Sequence, residues 1–338
     1  MKNSTRHIFP GLLLFSMMLL SGCDQKPAPS QSKFDPARSS FTPAMPFHGQ
    51  SFVIKDLALE MRPVAAGRFL MGSVFDEAGR TVLEAPLTNV ILTKPFWLGR
   101  TEVTYAQWRA VMGTTLAAQV MRNFPHEAEP VRLLTGTDDA IAMYFVSWQD
   151  AMDFCAKLNA RARAEGALPA GYEFRLPTEA EWEYACRAGT TAASYAGPVR
   201  FISRNHAPVL DGIAWYSGNS SVGYTGRGWD TSNWAQKQYP GGSAGVRSVG
   251  LKAPNALGLH DMLGNVYEWF LDYAHEALPG GSVSDPAGPE RGIDRIVRGG
   301  SWHSDAAFCR SAYRTWNVPD SRLPFIGFRI ALAPVIKR

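Results

Sequence analysis

The chain is short of several things that would place it quickly. Charged residues make up only 19% of its 338 residues, the net charge is +4, and no concentrated Lys/Arg run occurs, which argues against a nucleic-acid partner. No His-x-x-x-His pair and no Gly-rich phosphate loop is present, so the common metallohydrolase and nucleotide-binding signatures are missing. No internal repeat of fixed period is found. The apolar run from Gly11 to Leu20, broken by Ser16, is too short to span a bilayer comfortably. Cysteines number only four, and three remain once Cys23 is set aside: Cys155, Cys186 and Cys309. That odd count allows one bridge with a spare thiol, or no bridge.

What is present begins with export. Lys2 and Arg6 precede the apolar run and Leu20-Ser21-Gly22-Cys23 ends it. This pattern predicts a lipoprotein signal over residues 1–22, with Cys23 becoming a lipidated N-terminus; an ordinary signal peptide containing a chance cysteine is the alternative. Asp24 directly after the cysteine favours the inner membrane. The expected location is therefore the bacterial cell envelope, lipid-anchored and facing the periplasm. Residues 23–50 carry Pro27, Pro29, Pro36, Pro43 and Pro46 among polar residues and predict a semi-extended tether.

The folded part is expected over residues 51–338 as a single domain. Ten Trp, eleven Tyr and eighteen Phe allow large aromatic burial, while 31 Gly and 23 Pro imply many turns. The spacing predicts a strand at Phe96–Arg100 and a helix from Thr104, where Gln107 completes a capping box, to Gly113. Ser147 begins a second helix running through about Arg163, with Ala151, Met152, Cys155 and Leu158 on its apolar stripe. Thr178 and Glu181 cap a third, which puts Trp182, Ala185 and Cys186 on one face. Stripe cysteines of this kind read as buried, inert thiols.

Several phrases resemble the formylglycine-generating enzymes, the sulfatase-modifying factor family. They are Gly67-Arg68-Phe69-Leu70-Met71-Gly72-Ser73, Glu102-Val103-Thr104, Arg175-Leu176-Pro177-Thr178-Glu179-Ala180-Glu181-Trp182-Glu183, Asp261-Met262-Leu263-Gly264-Asn265-Val266-Tyr267-Glu268-Trp269, Arg298-Gly299-Gly300-Ser301-Trp302 and Gly327-Phe328-Arg329. The resemblance covers nearly everything after Ser51. It implies a single loop-rich α+β domain, related to C-type lectins.

The family's copper(I) site uses two cysteines separated by four residues, because soft thiolates select a soft metal. Counted from Ser301, the first falls on Ser304, and the second on Cys309 if no gap is allowed. Counted back from Arg314, the segment is about three residues short and Cys309 lies near a structural cysteine of the family. At most one of the pair is present either way, so copper is not expected. The resemblance also places the partner of Cys186 near Ser311, which makes a Cys186–Cys309 disulfide an expectation.

Asp261, Gly264, Val266 and Glu268 match a calcium site of the family, and two carboxylates with two carbonyls from one turn suit a hard cation. Ser301 and Arg314 match groove-lining residues, Tyr267 stands where a tryptophan is usual, and Trp302, His303 and Ser304 would join them. Cys309, Ser301, His303 and Arg314 are the candidates for any catalysis. The expected role is a membrane-tethered recognition or accessory protein that binds an exported protein or peptide. The alternative is an oxidoreductase that generates formylglycine or matures an exported protein or small molecule.

Overall fold

The computed structural model describes residues 49–126 and 133–336. The chain divides into units of residues 1–38 and 39–338, and every described residue belongs to the second. The expected signal, the lipidated Cys23 and all but the end of the tether lie outside the described residues. Among the described residues no helix is long and apolar enough to cross a membrane.

Among the described residues, three sheets, two short ribbons and five α-helices form the α+β body. The largest sheet is antiparallel and joins β1 (Phe52–Ile54), β2 (Leu59–Val64), β5 (Phe96–Gly99), β16 (Ala331–Pro334) and β6 (Tyr172–Arg175), in that order. A second pairs β3 (Gly67–Met71) antiparallel with β4 (Thr88–Leu92), which runs parallel to β12 (Gly281–Ser284). The third has the order β14 (Arg314–Asn317), β13 (Arg295–Arg298), β11 (Tyr267–Tyr273), β15 (Ile326–Gly327). Two short ribbons complete the strands: β7 (Ala214–Trp215) with β10 (Leu263–Gly264), and β8 (Trp229–Asp230) with β9 (Ser243–Ala244).

The helices form where side chains satisfy the free N–H groups of the first turn. Thr104 caps α1 (Tyr105–Met112), Thr115 caps α2 (Leu116–Asn123), Ser147 caps α3 (Trp148–Ala164) and Thr178 caps α4 (Glu179–Arg187). The short α5 (Pro208–Asp211) opens on proline instead. Gly113, at φ 72, ends α1 as its left-handed cap. On α4 that position falls to Ala188, at φ 47. The sequence pattern did not announce α2, because it restarts two residues after Gly113 and is only two turns long.

Aromatic residues fill the interior. Trp108 of α1, Phe154 of α3 and Phe328 pack ring against ring at centroid distances of 6.1, 5.3 and 6.1 Å. Trp182 of α4 meets Phe270 of β11 edge-on at 5.6 Å. The expected helix stripes are buried at Ala151, Cys155, Leu158, Trp182, Ala185 and Cys186.

Buried ion pairs cross this apolar body. Glu179 holds Arg314 through both carboxylate oxygens at 2.7 and 2.8 Å. Glu181 does the same to Arg175 at 2.6 and 2.7 Å, and Glu183 binds Arg298 at 2.7 Å and Arg187 at 2.8 Å. The Arg298 and Glu183 side chains are completely buried. Removing one partner strands the other in a low-dielectric interior, so Glu183→Ala should cost about 3–5 kcal/mol. Asp139→Ala, in the exposed pair with Arg109, should cost about 1 kcal/mol or less. Urea unfolding midpoints of the two variants check the contrast.

Candidate functional site

Two clusters converge from the predicted residues, and they differ in chemistry. The first lies at the turn before β11. Asp261, Gly264 and Asn265 all have positive φ, at 53, 81 and 58°. A Cβ on Gly264 would stand 2.3 Å from the Trp215 carbonyl oxygen, so only glycine fits there. The turn buries Asp261, and Glu268 follows on β11, where its backbone pairs with Arg298 and Gly327.

Asp261 accepts from the Gly250 N–H at 2.6 Å through Oδ2, yet its Oδ1 has no partner. Glu268 Oε2 accepts from Arg329 at 2.7 Å and from the Trp182 indole at 3.0 Å, while its Oε1 has none. Glu102, completely buried, has no partner for either oxygen. Burial raises all three carboxyl pKa values, and Asp261 further raises those of Glu102 and Glu268. Asp261 itself is pushed up to about 6. Arg329, whose remaining N–H groups bind the Gly99, His260 and Asp261 carbonyls, supplies the compensating cation.

Buried carboxylate oxygens without partners are uncommon, and the other buried acids here, such as Glu84, Glu179 and Glu183, are fully paired. Four orphaned carboxyl oxygens gather around one guanidinium, and hard oxygen donors of this kind could hold a divalent cation. Among the described residues no three His, Cys, Asp or Glu side chains cage a metal by themselves. Backbone carbonyls such as those of Gly264 and Val266 would have to complete such a set. Glu102 was missed in the sequence because it precedes α1 as one acid in an otherwise structural phrase.

The second cluster follows the Gly299-Gly300 turn. Ser301 N–H donates to Ser304 Oγ at 2.9 Å, the two hydroxyls stand 3.0 Å apart, and Ser304 N–H closes the turn on the Ser301 carbonyl. Tyr267 borders Ser304, and burial drives its phenol pKa well up. Trp302 is buried and donates to the Pro324 carbonyl at 3.1 Å. His303 keeps an exposed edge amid four aromatic rings. Trp234, Trp229, Trp302 and Phe325 surround it at 5.1 to 5.6 Å, and the lost solvation lowers its pKa. Beside it opens a cavity of about 260 Å³ lined by Arg204, Asn205, Asn233, Trp234, His303 and Asp305.

Arg314 does not join this group. Its partners are Glu179, the Leu83 carbonyl and His275, none of them in the serine turn. Cys309 lies behind the turn, where a Cβ on Gly300 would sit 2.6 Å from its sulfur. The expected Cys186–Cys309 disulfide is not formed: Cys155, Cys186 and Cys309 are all free and buried. Cys186 instead faces the Ser311 hydroxyl at 3.5 Å, so serine occupies the facing position and Cys309, two residues earlier, points elsewhere. Burial pushes the Cys186 thiol up to about 12 and the other two higher.

Residues 55–334 match the family profile described as the sulfatase-modifying factor enzyme 1-like domain. The chain belongs to that family. It is 31% identical over 266 residues to a formylglycine-generating enzyme of Thermomonospora curvata, covering 76% of this chain and 69% of that one. The mouse formylglycine-generating enzyme is 27% identical over 273 residues, and this chain spans 59% of its length. The chaperone protein LppX of Paenibacillus barcinonensis is 28% identical over 253 residues, covering 67% of this chain and 75% of that protein. Among solved structures, PvdO from Pseudomonas aeruginosa superposes with a TM-score of 0.60 at 26% identity, over 85% of this chain and 99% of that one.

Two measurements follow. Denatured, unreduced Cys23→Ser protein should titrate three thiols. A carboxyl whose pKa is higher folded than unfolded favours the fold when protonated. Metal-free protein should therefore lose stability as pH rises from about 4 through about 6, the window set by Asp261. Melting temperatures in EDTA should show a smaller fall for Asp261→Asn than for the natural chain.

Proposed function

We propose that this chain is a membrane-tethered envelope protein whose sulfatase-modifying-factor domain recognises an exported protein or peptide, rather than oxidising it with copper. The carrying observation is the Ser301–Ser304 turn. A hydroxyl pair occupies the place where the resemblance puts the first copper thiolate. Cys309, the single remaining candidate for the second, is buried and held protonated by desolvation. The Cys186–Ser311 contact supports the alignment in which Cys309 matches neither copper ligand. One sulfur cannot make a two-thiolate site.

On this reading the aromatic face around His303 is the recognition surface, with Tyr267, Ser301, Trp302 and Ser304 behind it. Arg314 contributes by anchoring α4 to β14. Calcium is the proposed cofactor, held by Asp261 and Glu268 with the carbonyls of Gly264 and Val266, beside the unpartnered Glu102. It would supply positive charge that locks the β10–β11 turn. Cys23 carries the lipid anchor and Asp24 favours the inner membrane. A relative described as a chaperone protein is consistent with an accessory role.

The family's own oxidoreductase activity is the second reading, favoured by the 31% identity to a formylglycine-generating enzyme. Purified protein given copper(I), oxygen and a Cys-x-Pro-x-Arg peptide decides between them by mass spectrometry. No aldehyde is expected; an aldehyde that disappears in Cys309→Ala would reverse the assignment. Calcium should raise the melting temperature of the natural chain and leave an Asp261→Ala, Glu268→Ala protein unchanged.

A further inference from the structure

The recognition surface carries one cavity whose chemistry is more specific than an apolar docking face. Its aromatic members, Trp234 and His303, are held rigidly. Trp234 stacks on Trp302 at 6.0 Å and 23°, and His303 stacks on Phe325 at 5.6 Å and 12°. Such a wall needs no reordering when a ligand arrives. Its polar members are planar side chains of both hydrogen-bonding senses. Arg204 Nε binds Asp305 Oδ2 at 2.7 Å, which leaves the outer guanidinium N–H groups and the second carboxylate oxygen without a protein partner. Asn233 is exposed at the rim, and its amide also has no protein partner. Asn205 is fixed by the Ala235 carbonyl at 2.9 Å and the Ser217 hydroxyl at 2.6 Å.

The charges cancel. Arg204 and Asp305 form a pair, and no third charged side chain lines the cavity beyond His303. A site without net charge has little hold on an anion or a cation. Its volume of about 260 Å³ falls below the roughly 300–1,000 Å³ of pockets for drug-sized ligands, so it suits one ring-sized unit. A ligand that uses an indole wall must offer a flat apolar face. One that uses an amide, a guanidinium edge and a carboxylate oxygen together must offer groups that both donate and accept. A neutral sugar ring has both properties, with its C–H face for the indole and its hydroxyls for the planar polar groups.

We infer that the cavity between Trp234, Asn233 and the Arg204–Asp305 pair binds one neutral saccharide unit, so that the partner recognised at this face presents a glycan. The inference deepens the recognition reading above and rests on it.

The test uses the full purified chain, titrated with cellobiose, with N,N′-diacetylchitobiose and, separately, with the Cys-x-Pro-x-Arg peptide. Binding is followed by tryptophan fluorescence and by saturation-transfer NMR. The expected result is saturable binding of at least one disaccharide that barely changes between low and high salt, since no net charge is involved. Trp234→Ala should weaken it by about tenfold, the order of one lost aromatic contact. Because Trp234 also packs on Trp302, Asn233→Ala serves as the second variant; its side chain is exposed, its fold should be unperturbed, and sugar binding should weaken several-fold. Disaccharides that do not bind, or that bind both variants as well as the natural chain, overturn the inference. If the peptide alone binds, and does so through Trp234, the saccharide assignment falls and the recognition reading stands. If no sugar binds and the copper assay yields aldehyde, both fall.

Discussion

Three glutamates on α4 and the guanidinium groups that face them hold the domain together. Glu179, Glu181 and Glu183 reach Arg314 on β14, Arg175 on β6 and Arg298 on β13, so one helix of nine residues is tied to two sheets. None of these charges can leave without stranding its partner away from water. The same helix carries Trp182, whose indole N–H reaches Glu268 in the carboxylate cluster. The helix that looks most structural in the sequence is thus also a wall of the carboxylate cluster. Its dense spelling, Thr178 to Arg187, reflects a cap, an apolar face and three ion-pair contacts written within ten positions.

Local features were legible because four neighbouring residues are enough to specify them. The capping boxes at Thr104, Ser147 and Thr178 each place a side-chain oxygen on a free N–H three residues on, and each marks a helix start in the structure. Long-range pairing was not legible. Nothing near Glu179 names Arg314 as its partner across more than a hundred residues, so an arginine read as lining a groove turns out to be an internal tie. The Cys186–Cys309 expectation failed for a related reason. Two residues of register decide which side chain faces Cys186, and it is Ser311 that stands there.

The candidate sites divide the same way. Asp261 and Glu268 could be named because they stand within one turn and its following strand, whereas Glu102 arrives from a different part of the chain. His303 could be named from its neighbours in sequence, but the rings around it come from separate segments: Trp229 and Trp234 from the β8–β9 region and Phe325 from the loop before β15. Family membership accounts for the scaffold.

The position of β16 has a consequence for how the chain is made. The last strand in sequence is not an edge strand: it lies between β5 and β6 and bonds to both. The principal sheet therefore stays split until residues 331–334 have emerged from the ribosome. A nascent chain halted a few residues early would have its halves apart, with apolar strand edges uncovered and open to chaperones or proteases. Completion of the principal sheet is therefore a late event in folding.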